Sequence, residues 1–327
     1  MVFPEDLKWR HDYLTSTGYF HDNHSAVSNP RFRSWGTEEL LIRCIRKNLP
    51  WIRTIYIILA RQSQVQPWMK SLSVVSGSCV PSVASVQRPS APADTPSVRI
   101  VYHSDIMPKE VLPTFNSRAI EMYLHRIPDL APYFLYGNDD MFPIAPMEVS
   151  DFFRESSVPS VSPTDDGSVP AGFASGILPC LHYTHKTFNP SNAFHIACMN
   201  GLNFVAADFG RQFTDYWLRV GHNVVPMVRS TCEMFWQRWP KEMQASVTRF
   251  RLPQNYNQYI YSWWQILSGQ YVEHRAPRCY VSVDDGVEKI REAIRTADGL
   301  LCINDNSSVN DITNLAAVVR SEIQKRL

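Results

Sequence analysis

The chain has almost no net charge. Its 32 basic residues face 31 acidic ones, a formal balance of +1 over 327 residues. Phosphate-backbone binding relies on a surplus of Lys and Arg, so nucleic acid is excluded as the expected partner. No apolar run reaches the ~18 residues that a membrane helix requires, so no span is expected in this chain. The opening stretch, MVFPEDLKWRHDYL, turns polar at once and does not read as a signal peptide. No CxxC pair occurs among the seven cysteines, Cys44, Cys79, Cys180, Cys198, Cys232, Cys279 and Cys302. That spacing excludes a zinc framework, and the odd count argues for mostly buried free thiols. No internal repeat is visible. Asn23-His24-Ser25 and Asn306-Ser307-Ser308 match the glycosylation acceptor pattern, which matters only in a secreted or luminal protein.

What is present is apolar and aromatic residue, 44% and 12% of the chain, ample for a large core. EELLIRCIRKNL (38–49) spaces apolar residues at 41, 42, 45 and 49, predicting a helix with one buried face that Pro50 ends. TIYIILA (54–60) and VRIVYHSDI (98–106) read as strands, and Ser/Val/Pro-rich residues 71–97 as an inserted loop. SRAIEMYLHRI (117–127) places Ile120, Leu124 and Ile127 on one helical face, with Asn116 or Ser117 as N-cap. YFLYGNDD (133–140) supplies a third strand. Residues 153–170 read as loop. From about 188 helical patterns dominate, and aromatic YNQYIYSWWQIL (256–267) is expected to pack as core. VEKIREAIRTADGLLCINDN and ITNLAAVVRSEIQKRL read as two amphipathic helices around an Asn/Asp-rich loop.

The order helix, strand, strand, helix, strand predicts an α/β fold, a Rossmann-like, mostly parallel sheet with flanking helices and a helix-rich C-terminal part. The expected division is a catalytic α/β domain over 1–285 and a helical segment over 286–327. Ligands of such sheets sit beyond the carboxyl ends of the strands, which would place Asp139 and Asp140 at a site, with His103 and Asp105 ending a neighbouring strand. Adjacent carboxylates suit Mg²⁺ or Mn²⁺. The competing reading of Asn138-Asp139-Asp140 is a plain turn. His222 is a candidate base, set against a purely structural histidine, with His182 and His185 as alternatives. Arg249 and Arg251 are candidate phosphate forks, set against a solvated face.

VLPTFNSRAIEMYLHRIPDLAPYFLYGNDDMF (111–142) resembles the signature of the Stealth family, whose pattern runs LPTFNS, AIE, HRI and NDD in that order. IRCIRKNLPWIRTIYIILARQ (42–62) is similar to an upstream segment of that family, through Arg43, Pro50, Trp51 and Gln62. Pro67-Trp68 resembles its P-x-W, and His103 with Asp105 its H-x-D. GHNVVPMVRSTCEMFWQRWP and VTRFRLPQNYNQYIYSWWQIL resemble its third and fourth conserved regions more loosely, so the resemblance spans about residues 31 to 270.

The resemblance implies a phosphotransferase for substituted phosphate groups. A sugar-1-phosphate would pass from a UDP- or GDP-sugar to a glycan or polysaccharide hydroxyl, releasing UMP or GMP. It implies Mg²⁺ or Mn²⁺ on Asp139 and Asp140, with catalytic roles for His222, Arg251 and Asp140. Substrate contacts would fall to Arg43, Gln62, Asn116, Arg118 and Glu121. Bacterial members work at the cytosolic face and eukaryotic ones in the Golgi lumen. The family's opening strand, ending in a W-V-D-G-type motif, is not in this sequence, so a sheet short of its first strand is expected. Asn255 stands where the family has an acidic residue, and the His-x-Pro spacing is stretched to His222…Pro226. The rival readings are a metal-dependent glycosyltransferase and an inactive nucleotide-sugar-binding protein.

Overall fold

The computed structural model describes residues 7–17, 34–72, 96–155, 176–305 and 312–327. The chain forms α1 (Leu7–Thr17), α2 (Glu38–Asn48), β1 (Thr54–Leu59), α3 (Pro67–Leu72), β2 (Ser97–Tyr102), α4 (His103–Ile106) and α5 (Ser117–Glu121). There follow β3 (Tyr133–Tyr136), β4 (Met141–Pro143), β5 (Phe153–Glu155), β6 (Ile177–Leu181), β7 (Thr184–Thr187), α6 (Ala193–Ala206), β8 (Tyr216–Arg219) and β9 (Val225–Val228). The last part holds α7 (Arg229–Arg238), α8 (Pro240–Ser246), α9 (Tyr259–Leu267), β10 (Val272–Glu273), β11 (Arg278–Ser282), α10 (Val287–Thr296), β12 (Leu300–Asn304) and α11 (Thr313–Arg326). These elements fall into two compact units, both discontinuous in sequence. The first comprises Met1–His103, Asn138–Met147 and Pro277–Leu327, and the second Ser104–Gly137 and Glu148–Ala276.

In the first unit, α2 carries apolar residues on two sides. Leu40, Leu41 and Cys44 join a core with Phe142, Ile144, Leu301, Ile303, Ile290 and Val319. Ile42 joins a second core with Ile55, Ile57, Leu59, Met69 and Val98. Glu38 and Glu39 open the helix and Arg46 and Lys47 close it, the charge order that favours its dipole. β1 and β2 pair in parallel, Ile57 beside Ile100. β12 lies between parallel β11 and antiparallel β4. Its Leu300, Leu301, Cys302 and Ile303 are all buried, and a continuous apolar run is what a strand covered on both faces requires. Gly299 leads into it. A side chain there would run into the Pro277 carbonyl, to which Leu300 N–H donates at 2.9 Å.

The second unit is built on α9, in which every residue from Tyr259 to Ile266 is buried. Gly201 of α6 leaves room for the Trp263 ring, which a β-carbon would meet at 2.9 Å. Around this core lie the antiparallel pairs β3–β9 and β7–β8 and the three-stranded β10–β6–β5 sheet.

The α/β class is as expected, and so are α2, β1, β2, the Asn116 N-cap and the buried aromatic stripe. Among the described residues no single Rossmann-like sheet is formed. The described strands form five small sheets, and four of their seven pairings are antiparallel. Short apolar runs reveal a strand but not the direction of its partner. The helix expected over 117–127 is broken into α5 and a 3₁₀ turn at Leu124–Arg126. His103 and Asp105 do not end a strand but lie in the helical turn after Tyr102. LLCIN is a strand rather than part of a helix. Residues 153–155 form β5 rather than loop, while 156–175, most of the 71–97 insertion, Cys79 and both glycosylation matches lie outside the described residues. Cys44, Cys180, Cys198, Cys232 and Cys302 are free and buried. Among the described residues no helix is long and apolar enough to cross a membrane.

Candidate functional site

Each unit carries one cluster of the residues singled out above. In the first unit, Asn138, Asp139 and Asp140 form a turn, closed by Met141 N–H donating to the Asn138 carbonyl at 3.2 Å. β4 follows and is held from two sides. Asn48 Nδ2 donates to the Pro143 carbonyl at 2.8 Å. On the other side Ile303 N–H donates to the Asp140 carbonyl at 3.0 Å. The turn is therefore anchored to α2 and β12 rather than left as a mobile loop.

Asp139 is exposed, while the Asp140 side chain is directed inward. Cys302 Sγ donates to Asp140 Oδ2 at 3.7 Å, and Asp140 Oδ1 is buried with no hydrogen-bond partner. Burial, with the like charges of Asp139 and Asp305 adding to it, pushes the Asp140 pKa up to about 7. A buried carboxylate oxygen with no donor is the kind of oxygen that a hard divalent cation takes. Asp305 was missed in the sequence. Its one signal is that Asn304-Asp305 repeats the Asn138-Asp139 dipeptide.

The other candidates of this unit are engaged elsewhere. Arg43 is on the exposed side of α2, where Nη1 donates to Gln324 Oε1 at 3.1 Å. Gln62 is exposed at the start of a 3₁₀ turn. The buried glutamine there is Gln64, whose Oε1 accepts the Ala60 N–H at 2.8 Å. His103 is buried, and burial lowers its pKa to about 3, so its ring is neutral.

In the second unit, the segment 248–258 folds against the turn at Asn116–Glu121. Asn116 caps α5 through its Oδ1, which accepts the Arg118 N–H at 3.2 Å. Its Nδ2 donates to Asn255 Oδ1 at 3.0 Å. That same oxygen accepts Thr248 Oγ1–H at 2.9 Å and Leu252 N–H at 2.7 Å. Arg118 Nη1 donates to the Leu252 carbonyl at 3.0 Å, and Arg251 Nη2 donates to Ser117 Oγ. Glu121 is buried, its Oε2 accepting Gln258 N–H and its Oε1 accepting Tyr136 O–H, each at 3.2 Å. Burial raises the Glu121 pKa, opposed by that amide, by Arg251 and Arg118, and by the tyrosine. Asn116, Arg118 and Glu121, buried at α5, and the exposed Arg251 are thus brought together, and spacing alone would not show the two charged α5 residues to be buried. Tyr136, Thr248 and Gln258 complete the cluster without having been singled out.

His222 lies in the same unit, Nδ1 at 3.4 Å from the Tyr259 hydroxyl. Burial, then the charge of Arg219, lowers its pKa, so the ring is neutral at pH 7. Arg249 donates to the Leu112 carbonyl at 3.2 Å. His182 pairs with Glu273 at 2.6 Å, and exposed His185 stacks near Tyr216, centroids 4.4 Å apart. Asp105 is exposed.

Residues 59–161 match the model of Stealth protein CR2, conserved region 2. That span contains Asn116, Arg118, Glu121, Asp139 and Asp140. The chain is 25% identical over 331 residues to the capsular polysaccharide phosphotransferase WcwK of Streptococcus pneumoniae, covering 94% of this chain and 87% of that protein. It is 25% identical over 322 residues to the receptor polysaccharide phosphotransferase WefC of Streptococcus gordonii, covering 94% and 88%. It is 33% identical over 159 residues to the capsular polysaccharide phosphotransferase LcbA of Aeromonas hydrophila, covering 48% and 37%. The chain thus matches conserved region 2 of the Stealth proteins over residues 59–161 and is similar along nearly its full length to polysaccharide phosphotransferases.

Proposed function

We propose that this protein is a phosphotransferase of polysaccharide synthesis that moves a sugar-1-phosphate from a nucleotide sugar to a glycan hydroxyl. The observation that carries this reading is Asp140: a half-buried residue whose Oδ1 is buried and has no hydrogen-bond partner, next to Asp139, inside the stretch that matches Stealth conserved region 2. The relatives named as polysaccharide phosphotransferases support the reaction class.

In this reading the acceptor oxygen attacks the phosphorus bonded to the sugar, a phosphodiester forms, and UMP or GMP leaves. Asp139 and Asp140 would hold Mg²⁺ or Mn²⁺. That ion supplies charge neutralisation on the donor diphosphate, the main demand of phosphoryl transfer. His222, neutral at pH 7, takes the acceptor proton. Arg251, tied to Ser117, offers its guanidinium to the transferred phosphate, with Arg118 and Glu121 ordering the segment that carries it. Arg43 and Gln62, both facing solvent, are left with the outer contacts to substrate.

The test is nucleotide release. The protein is incubated with Mn²⁺, a mixed glycan acceptor and, in turn, UDP-N-acetylglucosamine, UDP-glucose and GDP-mannose. UMP or GMP as product establishes sugar-1-phosphate transfer and names the donor. UDP or GDP means glycosyl transfer and overturns the proposal. Nucleotide-sugar binding with no product indicates an inactive binding protein.

A further inference from the structure

The β7–β8 ribbon of the second unit carries positive charge that the transfer reading leaves unused. Its strands pair antiparallel, with Thr184 opposite Arg219, His185 opposite Leu218, Lys186 opposite Trp217 and Thr187 opposite Tyr216. Residues directly opposite share a face, and so do residues two apart along a strand. Thr184, Lys186, Trp217 and Arg219 therefore occupy one face. Lys186 and Arg219 are diagonal neighbours on it, a spacing of roughly 7–8 Å along the backbone. Both side chains are exposed, and neither forms an ion pair among the described residues. Asp215, exposed just before β8, pairs with neither.

Two uncharged donors accompany these cations. Trp217 is only 3% exposed, and its indole Nε1 is buried with no hydrogen-bond partner. A buried donor left unmet is costly, and the acceptor it needs is one that the chain does not itself supply. His195, in the first turn of α6, stands edge-on to the Trp217 ring, centroids 5.6 Å apart. Its Nδ1 accepts Asn189 N–H at 3.2 Å, which leaves the ring proton on Nε2. Burial, then the charges of Lys186 and Arg219, lower the His195 pKa and keep the ring neutral. Because α6 begins here, the positive end of its dipole adds to the two cations. Arg219 also acts on His222, whose pKa its charge lowers after burial. The patch thus adjoins the residue assigned the acceptor proton.

We propose that Lys186, Arg219, His195 and Trp217 form an anion subsite that holds a phosphodiester of the acceptor glycan. The inference rests on the transferase reading above and deepens it by naming the acceptor class, a polymer with phosphate in its backbone. Each transfer of that kind adds one phosphodiester, so a chain elongated by it carries the charge that the patch complements. Lys and Arg meet phosphate oxygens as charged donors, and the two N–H groups suit the remaining oxygens.

The test measures binding apart from turnover. The full chain is titrated by calorimetry, without nucleotide sugar, with poly(glycerol phosphate) and with dextran of similar length. The phosphate polymer should bind at least roughly tenfold more tightly than dextran. Lys186→Gln and Arg219→Gln, both at exposed positions, should each weaken that binding roughly tenfold or more. Lys241→Gln, which removes an exposed cation of α8, should leave it unchanged. The Trp217 indole N–H resonance, identified by its loss in Trp217→Phe, should shift when the polymer is added. Equal affinity for the two polymers overturns the inference, as does an equal loss in Lys241→Gln or an unmoved Trp217 signal. The affinity measurements decide even if Trp217→Phe does not fold. UDP affinity in Mn²⁺ should be unchanged in the two ribbon variants, and an equal loss there would assign the patch to the donor and overturn the acceptor role. Phosphatidylglycerol vesicles bound as tightly as the polymer would assign it to a lipid surface, with the same consequence. Release of UDP or GDP in the nucleotide test, with polymer binding still dependent on Lys186 and Arg219, would overturn the transfer reading and leave the anion subsite standing.

Discussion

Asn255→Ala tests whether one buried oxygen holds the arginine-bearing segment in place. Asn255 is fully buried, and its Oδ1 accepts from Asn116 Nδ2, Thr248 Oγ1 and Leu252 N at 3.0, 2.9 and 2.7 Å. Two of these donors have other acceptors at hand. Thr248 Oγ1 also reaches the Phe250 carbonyl at 2.6 Å, and Asn116 Nδ2 the Thr248 carbonyl at 3.2 Å. Leu252 N–H depends on Asn255, so the substitution strands one backbone donor and weakens two side-chain bonds. An unmet buried donor costs about 1–3 kcal/mol. The wild type already carries an unpartnered Asn255 Nδ2, whose removal offsets part of that, so a global loss near the lower bound, about 1 kcal/mol, is expected. The local loss is not offset. Amide exchange read by mass spectrometry over a peptide spanning Thr248 to Tyr256 should speed up roughly 5- to 150-fold at Leu252, the rate equivalent of about 1–3 kcal/mol. Arg249 and Arg251 ride on this segment, so transferase activity should fall further than stability does. Exchange at Leu252 unchanged from wild type would refute the reasoning, because the oxygen would then not be what fixes the segment.

Asp140→Asn should make the metal-free protein more stable at pH 8. The folded carboxyl holds its proton to about pH 7, whereas the unfolded one releases it near pH ~3.9. Stability therefore falls as pH rises between those values, by at most about 4 kcal/mol above pH 7, and Asn lacks that decline. Urea unfolding in EDTA at pH 4 and pH 8 checks it, and a stability gain equal at both values would contradict the assignment. Gly299→Ala forces a side chain onto the Pro277 carbonyl, and a loss of about 1–3 kcal/mol by urea unfolding is expected. Arg251→Ala should lower kcat by roughly 10²–10³-fold while Arg251→Lys recovers part of it, if the guanidinium meets charge that develops during transfer. Loss confined to KM would indicate ground-state binding instead.

Some of this protein was legible in its residues because the information is local. The apolar spacing of 38–49 implies α2, since one helical turn decides which side chains share a face. Asn116 before an α-helical turn implies a cap, since a carboxamide reaches the free amide two residues on. The dense aromatic run at 259–266 implies burial, because rings of that size are rarely left to water in a row. LLCIN was not legible as a strand. Four apolar residues in sequence fit a buried helix or a buried strand equally well, and only the partners β11 and β4 decide between them. Arg118 and Glu121 were expected to meet substrate, and their burial depends on a segment that returns from 134 to 137 residues later in the chain.

The sequence by itself determined the α/β class, the composition of the cores and the family resemblance carried by residues 111–142. Each follows from residue type and near-neighbour spacing. The tertiary structure alone decided strand direction, the split of the chain into interleaved units, and the pairing of Met141–Pro143 with Leu300–Cys302. Those depend on contacts between distant segments, whose geometry is set by how the two ends of the chain bury the same apolar faces and not by any property that a short stretch carries alone.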